Sequence, residues 1–256
     1  MTLDAIMAWC RRNAMELNAT KSAVLTYTRR NDHIIFDYNL SGTALRRVSC
    51  FRDLSVTMAS DFGPGEHIAL ICSKANSSLG FLCRASSDFR SPKTLATIFK
   101  TIVRPVLEYA SVIWCPYQSG HIESLERLQT KFIRLMRLRL GYSYMDVPVE
   151  SLTKDFGLPS LRARRKLADL SLLHKLVNGV IDCPQLLALL EFRLPGNTRS
   201  QDIFYRRAMP TLYSHHSCIP RLGREGKEVS GEVAFFSTTP AAFKKCLRQM
   251  IFPPQT

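Results

Sequence analysis

A helix, a tight turn and a strand open this chain, and too little sheet follows to complete the layer they imply. Leu3, Ile6, Met7 and Cys10 recur at i, i+3, i+4 and i+7, with Asp4 in the first turn, where the positive end of a helix favours an anion. Beyond an Asn-bearing turn, Ala23, Leu25 and Tyr27 alternate with Val24, Thr26 and Thr28, a β-branched and aromatic run that reads as a strand. A helix–strand unit of this kind covers one face of a sheet. Two further strand candidates follow, Ile34 to Leu40 and Cys50 to Met58, which is too little sheet for a free-standing domain. The rest of the chain carries helical periodicity. The expected fold class is therefore α+β, mostly α, with a small partial sheet over residues 1–85, a helical region over 86–140, and a basic helical region and tail over 141–256.

Three basic helix faces stand out in the helical part. Ser91-Pro92 reads as an N-cap with proline at the first helical position, followed by Leu95, Ile98, Phe99, Ile102 and Val103 on one stripe. Pro105 interrupts that helix, and the apolar run from Val106 to Trp114 continues to Pro116. Lys93, Lys100 and Arg104 fall at i, i+7 and i+11, on a face away from the stripe. A second helix, Ile122 to Leu140, sets Ile122, Leu125, Gln129, Phe132 and Met136 on one side and Arg127, Lys131 and Arg134 on another. Glu123 is placed to pair with Arg127 at i+4. Each face can track a phosphate backbone or serve as ordinary solvated charge.

The sharpest signal is Pro159-Ser160-Leu161-Arg162-Ala163-Arg164-Arg165-Lys166, which opens a helix reaching about Asn178 and stopping at Gly179. Four cations in its first two turns oppose the helix macrodipole. A phosphate-bearing partner is the simplest compensation, with nuclear localisation or a salt-bathed charged turn as alternatives. After residue 191 the pattern weakens through Pro195-Gly196-Asn197, Gly223 and Gly226. A short last helix, Pro240 to Met250, carries Phe243 and Leu247 with Lys244, Lys245 and Arg248.

The spacing Trp9-x3-Asn13-x-Met15-x-Leu17-Asn18-x2-Lys21-Ser22 resembles palm motif D of the reverse transcriptases of non-LTR retrotransposons, in particular the jockey-like group. Further segments match in the family's order: Phe51-Arg52-Asp53-Leu54-Ser55-Val56 for the primer grip (motif E), His67-Ile68, Lys74-Ala75 and Leu79-Gly80-Phe81-Leu82-x-Arg84. Val103-Arg104-Pro105-x-Leu107-Glu108-Tyr109-Ala110-Ser111-x2-Trp114-x-Pro116 and Leu125-Glu126-x2-Gln129-x2-Phe132 complete the series. The resemblance spans about residues 5 to 140 and continues more loosely to the end, where Arg199, Phe204, Tyr205 and Arg221-Leu222 fit. It implies a partial palm, a thumb packing against primer-template, and an RNA/DNA hybrid or other nucleic acid as partner, with the remaining polymerase portion as a second possible partner.

A polymerase palm gathers carboxylates around two metal ions, Mg2+ in this family. This chain has no two adjacent acidic residues. The resemblance places the paired Asp, the fingers and the endonuclease before Met1, so the chain is expected to be a C-terminal fragment that binds primer-template without polymerising and without a cofactor of its own. A nucleic-acid-binding or interaction module retained by the host, or a decayed copy, are the alternatives. Lys21 matches the motif D lysine that serves the departing pyrophosphate as an acid; here it is more simply a lysine at a strand edge. Ser55 stands where the family's primer grip has glycine, and costs on the order of 1 kcal/mol if the turn needs a positive φ.

Composition agrees with these expectations. The net charge is +14, divided as 9 Lys/Arg against 7 Asp/Glu in residues 1–80 and 26 against 14 in residues 81–256, so the basic surface belongs to the helical part. No apolar run approaches bilayer length and no signal pattern opens the chain, which points to an intracellular protein, nuclear or cytoplasmic. Eight scattered Cys form no zinc spacing, and His215-His216-x-Cys218 lacks a second ligand pair, so no metal site and reduced thiols are expected.

Overall fold

The computed structural model describes residues 3–30, 35–89, 91–136, 140–143, 146–193, 202–205 and 208–252. Ile34, the last residues before Leu140 in the second long helix, Pro195-Gly196-Asn197 and Arg199 lie outside the described residues. The fold is α+β and mostly α. The chain forms two compact units, Met1–Ala69 and Leu70–Thr256. The boundary therefore falls at 69/70 rather than at 85/86, and the helices on both sides of residue 140 belong to one unit.

In the first unit α1 (Leu3–Arg12) has Asp4 in its first turn and Arg11 and Arg12 in its last, the arrangement the helix dipole favours. It ends at Ala14, which takes the left-handed conformation (φ 53°) while the Met15 N–H donates back to the Cys10 carbonyl at 2.9 Å. Asn18 builds the next turn: its Oδ1 accepts the Lys21 N–H at 3.0 Å and the Thr20 hydroxyl at 2.6 Å. The chain then enters β1 (Ala23–Leu25), shorter than the alternating run through Thr28, which pairs in parallel with β4 (Arg46–Val48), Ala23 opposite Arg46. Between them lies a small hairpin of β2 (Asn39–Leu40) and β3 (Thr43–Ala44).

Residues 50–58 were expected as one strand and are a hairpin instead. β5 (Cys50–Asp53) and β6 (Val56–Ala59) pair antiparallel around Leu54-Ser55, with φ 43° and 69°. Two positive φ values at the centre make the turn that matches strand twist, where Asn-Gly is the usual pair. Leu-Ser carries no such signal, which is why the run read as continuous. The positive φ at Ser55 is the conformation that glycine accepts without cost. Cys10, Leu40, Val56 and Ile68 are the buried apolar residues of this unit among those described, and buried His67 accepts the Thr57 N–H on Nδ1 at 3.1 Å.

α2 (Gly65–Ala85) runs from the first unit into the second. In the second unit α3 (Pro92–Ile98) starts as its sequence indicates, the Ser91 hydroxyl accepting the Thr94 N–H and Pro92 opening the helix. Pro105 does not stop this helix. A π turn at Phe99–Val103 passes the chain into α4 (Arg104–Glu108), where proline, lacking an N–H, sits in the first turn. The break comes later, at Ala110 (φ 52°), before α5 (Ser111–Trp114). α6 (Ser119–Leu135) buries Leu125, Leu128, Gln129, Phe132 and Ile133, with Phe132 stacked on Phe99 at 4.3 Å.

After α7 (Val149–Asp155), α8 (Leu161–Val177) is the centre of the unit. The Ser160 hydroxyl caps its start, accepting the Ala163 N–H at 3.2 Å, and Gly179 (φ 66°) closes its end, the boundaries the sequence indicates. The short α9 (Pro184–Leu187) and α10 (Leu212–His216) precede α11 (Cys218–Val229) and α12 (Pro240–Ile251). Leu167, Leu170 and Leu173 of α8 pack in one core with Leu222, Val229, Phe204, Phe235, Phe243 and Leu247. Gly223 and Gly226, read from sequence as signs of a weakening pattern, lie inside α11. A Cβ at Gly226 would stand 2.5 Å from Leu173 Cδ2 and 2.9 Å from the Phe204 ring, so this glycine marks close helix packing rather than a break.

Candidate nucleic-acid interface

α6 divides its residues as an amphipathic helix should. Its apolar side is buried, whereas Arg127, Lys131 and Arg134 are exposed over roughly 10 Å of helix. Arg127 Nη2 lies 3.4 Å from Glu123 Oε2 with the two side chains 72% and 62% exposed, so this pair is weak and exchangeable. Lys131 Nζ donates to Asn76 Oδ1 of α2 at 2.5 Å and keeps its remaining donors in solvent. These three cations form the ridge that the sequence indicates.

The face expected from Lys93, Lys100 and Arg104 is broken up. Lys93 is exposed, but the π turn admits one extra residue and rotates the helix beyond it, so Lys100 and Arg104 turn inward. Arg104 Nε lies 3.6 Å from Glu108 Oε1. Partial burial, and then the neighbouring guanidiniums of Arg104 and Arg164, hold the Lys100 amine below its ordinary range.

The cationic start of α8 is compensated within the chain. Glu126 of α6 sets its carboxylate at the helix end, Oε1 accepting the Arg162 N–H at 2.8 Å and Oε2 the Leu161 N–H at 3.1 Å. An anion on these donors is what the dipole calls for, and here it is a side chain of the same protein. Arg164 grips both oxygens of Glu108, with Nη2 to Oε2 at 2.8 Å. Lys166 Nζ meets Glu228 Oε2 at 2.7 Å. Arg165 is buried, 2% exposed. Of the four cations only Arg162 stays exposed. Glu108 and Glu228 thus engage Arg164 and Lys166, and Glu126 satisfies the helix-end N–H groups, so these need no phosphate partner; Arg162 and Arg165 have no such carboxylate partner among the described residues. Those glutamates stand far away in sequence, and no local spacing announces them.

A cavity of about 410 Å³ opens beside this helix start, lined by Arg162 and Arg165 of α8, by Tyr117, and by His216, Arg224 and Glu225 among others. Arg221 of α11 lines it too and is held in place by four acceptor contacts: Asp169 Oδ2 at 2.9 Å and Oδ1 at 3.4 Å, the His216 carbonyl at 2.9 Å and the Val112 carbonyl at 2.5 Å. Burial pushes the Asp169 carboxyl up from its ordinary range, against the pull of Arg221. Burial, reinforced by the nearby Asp169 charge, pushes Glu225 up to about 8. The His216 imidazole, stacked on Tyr117 at 4.5 Å and 5°, is held below its ordinary range by burial and then by Arg224. None of Arg221, Asp169 and Glu225 stood out in the sequence as a site residue; an Arg and an Asp far apart on two helices give no motif.

In the first unit the primer-grip-like residues occupy the β5–β6 hairpin, with Phe51 half-buried, Arg52 and Asp53 exposed, and Leu54 81% exposed at the tip. Lys21 sits in the Asn18 turn ahead of β1 rather than on a strand edge, because β1 begins only at Ala23. His215 and His216 end the short α10. Among the described residues no group of three or more His, Cys, Asp or Glu side chains is disposed to hold a metal. Nor is any helix of the described residues long and apolar enough to cross a membrane. No family model, curated protein or solved structure matches the chain.

Proposed function

We propose that this chain corresponds to the motif D, primer-grip, thumb and tail portion of a jockey-like non-LTR retrotransposon reverse transcriptase, and that its own residues contact an RNA/DNA hybrid without catalysing synthesis. The observation that carries the reading is the exposed ridge of Arg127, Lys131 and Arg134 along α6, on a helix whose opposite face is buried and whose sequence belongs to the ordered motif series. Such a ridge favours a phosphate backbone through counterion release and carries no base readout, which suits a thumb that must hold any sequence. The β5–β6 hairpin, with Arg52 and Leu54 outward, occupies the primer-grip position in the same series.

Fluorescence anisotropy with a labelled RNA/DNA hybrid tests the binding, and primer extension on an RNA template tests the inactivity. The reading expects salt-sensitive hybrid binding without preference for sequence, and no extension. Extension by this chain, or no hybrid binding at low salt, would overturn it. A nucleic-acid-binding module kept for another purpose is the second reading, and it is favoured if single-stranded RNA or duplex DNA binds as tightly as the hybrid.

A further inference from the structure

We propose that the cavity between the start of α8 and α11 is a phosphate-monoester site, with Arg165 as its buried anchor and Arg162 as its rim contact. Arg165 is 2% exposed and lines this cavity, yet none of Nε, Nη1 and Nη2 has a hydrogen-bond partner among the described residues. A buried guanidinium with all its donors unpaired is costly, and a planar fork of N–H groups matches two oxygens of a phosphate. Arg162 precedes it by three residues, on the same helix face.

The other charges near the cavity are already committed. Arg221 is held by Asp169, Lys166 by Glu228, and Arg224 Nη1 by His215, at 2.9 Å from Nε2 and 3.0 Å from the carbonyl. Burial favours the protonated form of Glu225, which lessens the negative charge there. Cations thus outnumber ionised carboxylates around a polar space, and the surplus favours a dianion over a monoanion. The volume, about 410 Å³, exceeds what a bare phosphate fills, leaving room for the group that the phosphate esterifies. This site is separate from the α6 ridge and does not depend on the ridge binding nucleic acid.

Two sources share this chemistry: a free phosphate or mononucleotide, and the terminal phosphate of a nucleic-acid strand. Calorimetric titration of the full chain with inorganic phosphate, at constant ionic strength in chloride, is the test. Binding is expected, together with a phosphate-specific rise in melting temperature. Arg165→Met is expected to lose at least tenfold in phosphate affinity while melting roughly 2 to 4 °C higher without phosphate, since it replaces a buried guanidinium whose N–H groups lack hydrogen-bond partners by an apolar chain of similar length. Arg162→Ala, on the exposed rim, is expected to lose several-fold without disturbing the core, and Lys245→Ala to match the parent. Adenosine 5′-monophosphate competing as well as a 5′-phosphorylated oligonucleotide assigns the free source. Tighter binding by the phosphorylated strand than by its 5′-hydroxyl form assigns the strand end. No phosphate binding beyond chloride, or binding unchanged in both Arg165→Met and Arg162→Ala, would overturn the site.

Discussion

The two units solve the same backbone problem differently, and the difference shows where the chain is well determined. Where the second unit needs a left-handed residue it uses Gly141, Gly157 and Gly179, with Ala110 the exception among the described residues. The first unit has one such glycine, Gly42, and otherwise uses Ala14, Ser41, Leu54, Ser55 and Phe62, all with side chains, at positive φ. Each costs on the order of 1 kcal/mol relative to glycine. Buried apolar side chains that could offset that cost are sparse in the first unit, whereas the second gathers its helices around α8. Stability and charge organisation therefore belong to the helical unit, and local strain belongs to the small strand unit.

The largest expected effect lies in the helical unit. Asp169→Ala leaves Arg221, only 6% exposed, with an uncompensated charge, and should cost about 3 to 5 kcal/mol in urea denaturation. A loss under 1 kcal/mol would show that the buried pair does not organise the α8–α11 packing. Amide hydrogen exchange sharpens the contrast: amides of residues 3–60 should exchange faster than those of α3 to α8 (residues 92–177), because few buried contacts hold their hydrogen bonds closed. Equal protection would mean that the short strand pairs are as well supported as the helical core.

Glu225 gives the comparison a pH dependence. Its folded pKa, near 8, lies above the ordinary 4.5, so between those values the folded state holds a proton that the unfolded state has released. The stability this contributes is complete below about pH 4.5 and is lost as pH rises toward 8, at up to roughly 1.4 kcal/mol per unit. Glu225→Gln should flatten that decline, as seen in melting temperature across the range. The smallest effect is Ser55→Gly, which should stabilise the β5–β6 turn by about 1 kcal/mol; a loss instead would mean that the Ser55 side chain compensates the strain.

How much of this was legible depended on the range of the interaction. Ser91-Pro92, Ser160 and Gly179 fix helix ends through neighbours within four residues, and the chain follows them. The apolar pair Phe243 and Leu247 marks α12 in the same way. The Cys50–Ala59 hairpin was hidden because Leu-Ser makes a turn normally made by Asn-Gly. The inward turn of Lys100 and Arg104 comes from a π turn that no periodicity marks. The cations at the start of α8 point from sequence to a phosphate-bearing partner; the carboxylates that meet the helix end, Arg164 and Lys166, namely Glu126, Glu108 and Glu228, come from contacts across the fold that no local spacing marks. Gly226 was opaque for the same reason, since what it admits is Leu173 and Phe204 from elsewhere in the unit.

The proposed contact with duplex backbone runs along α6, while Arg164 and Lys166 at the start of α8 are engaged by Glu108 and Glu228. It is tested most directly by the slope of log K against log salt for an RNA/DNA hybrid, compared between the parent and the triple variant Arg127→Ala, Lys131→Ala, Arg134→Ala. Each phosphate contact contributes a slope of roughly −0.9, so the account expects the triple variant to flatten the slope by about 2 to 3. A triple variant with the parent's slope would contradict it.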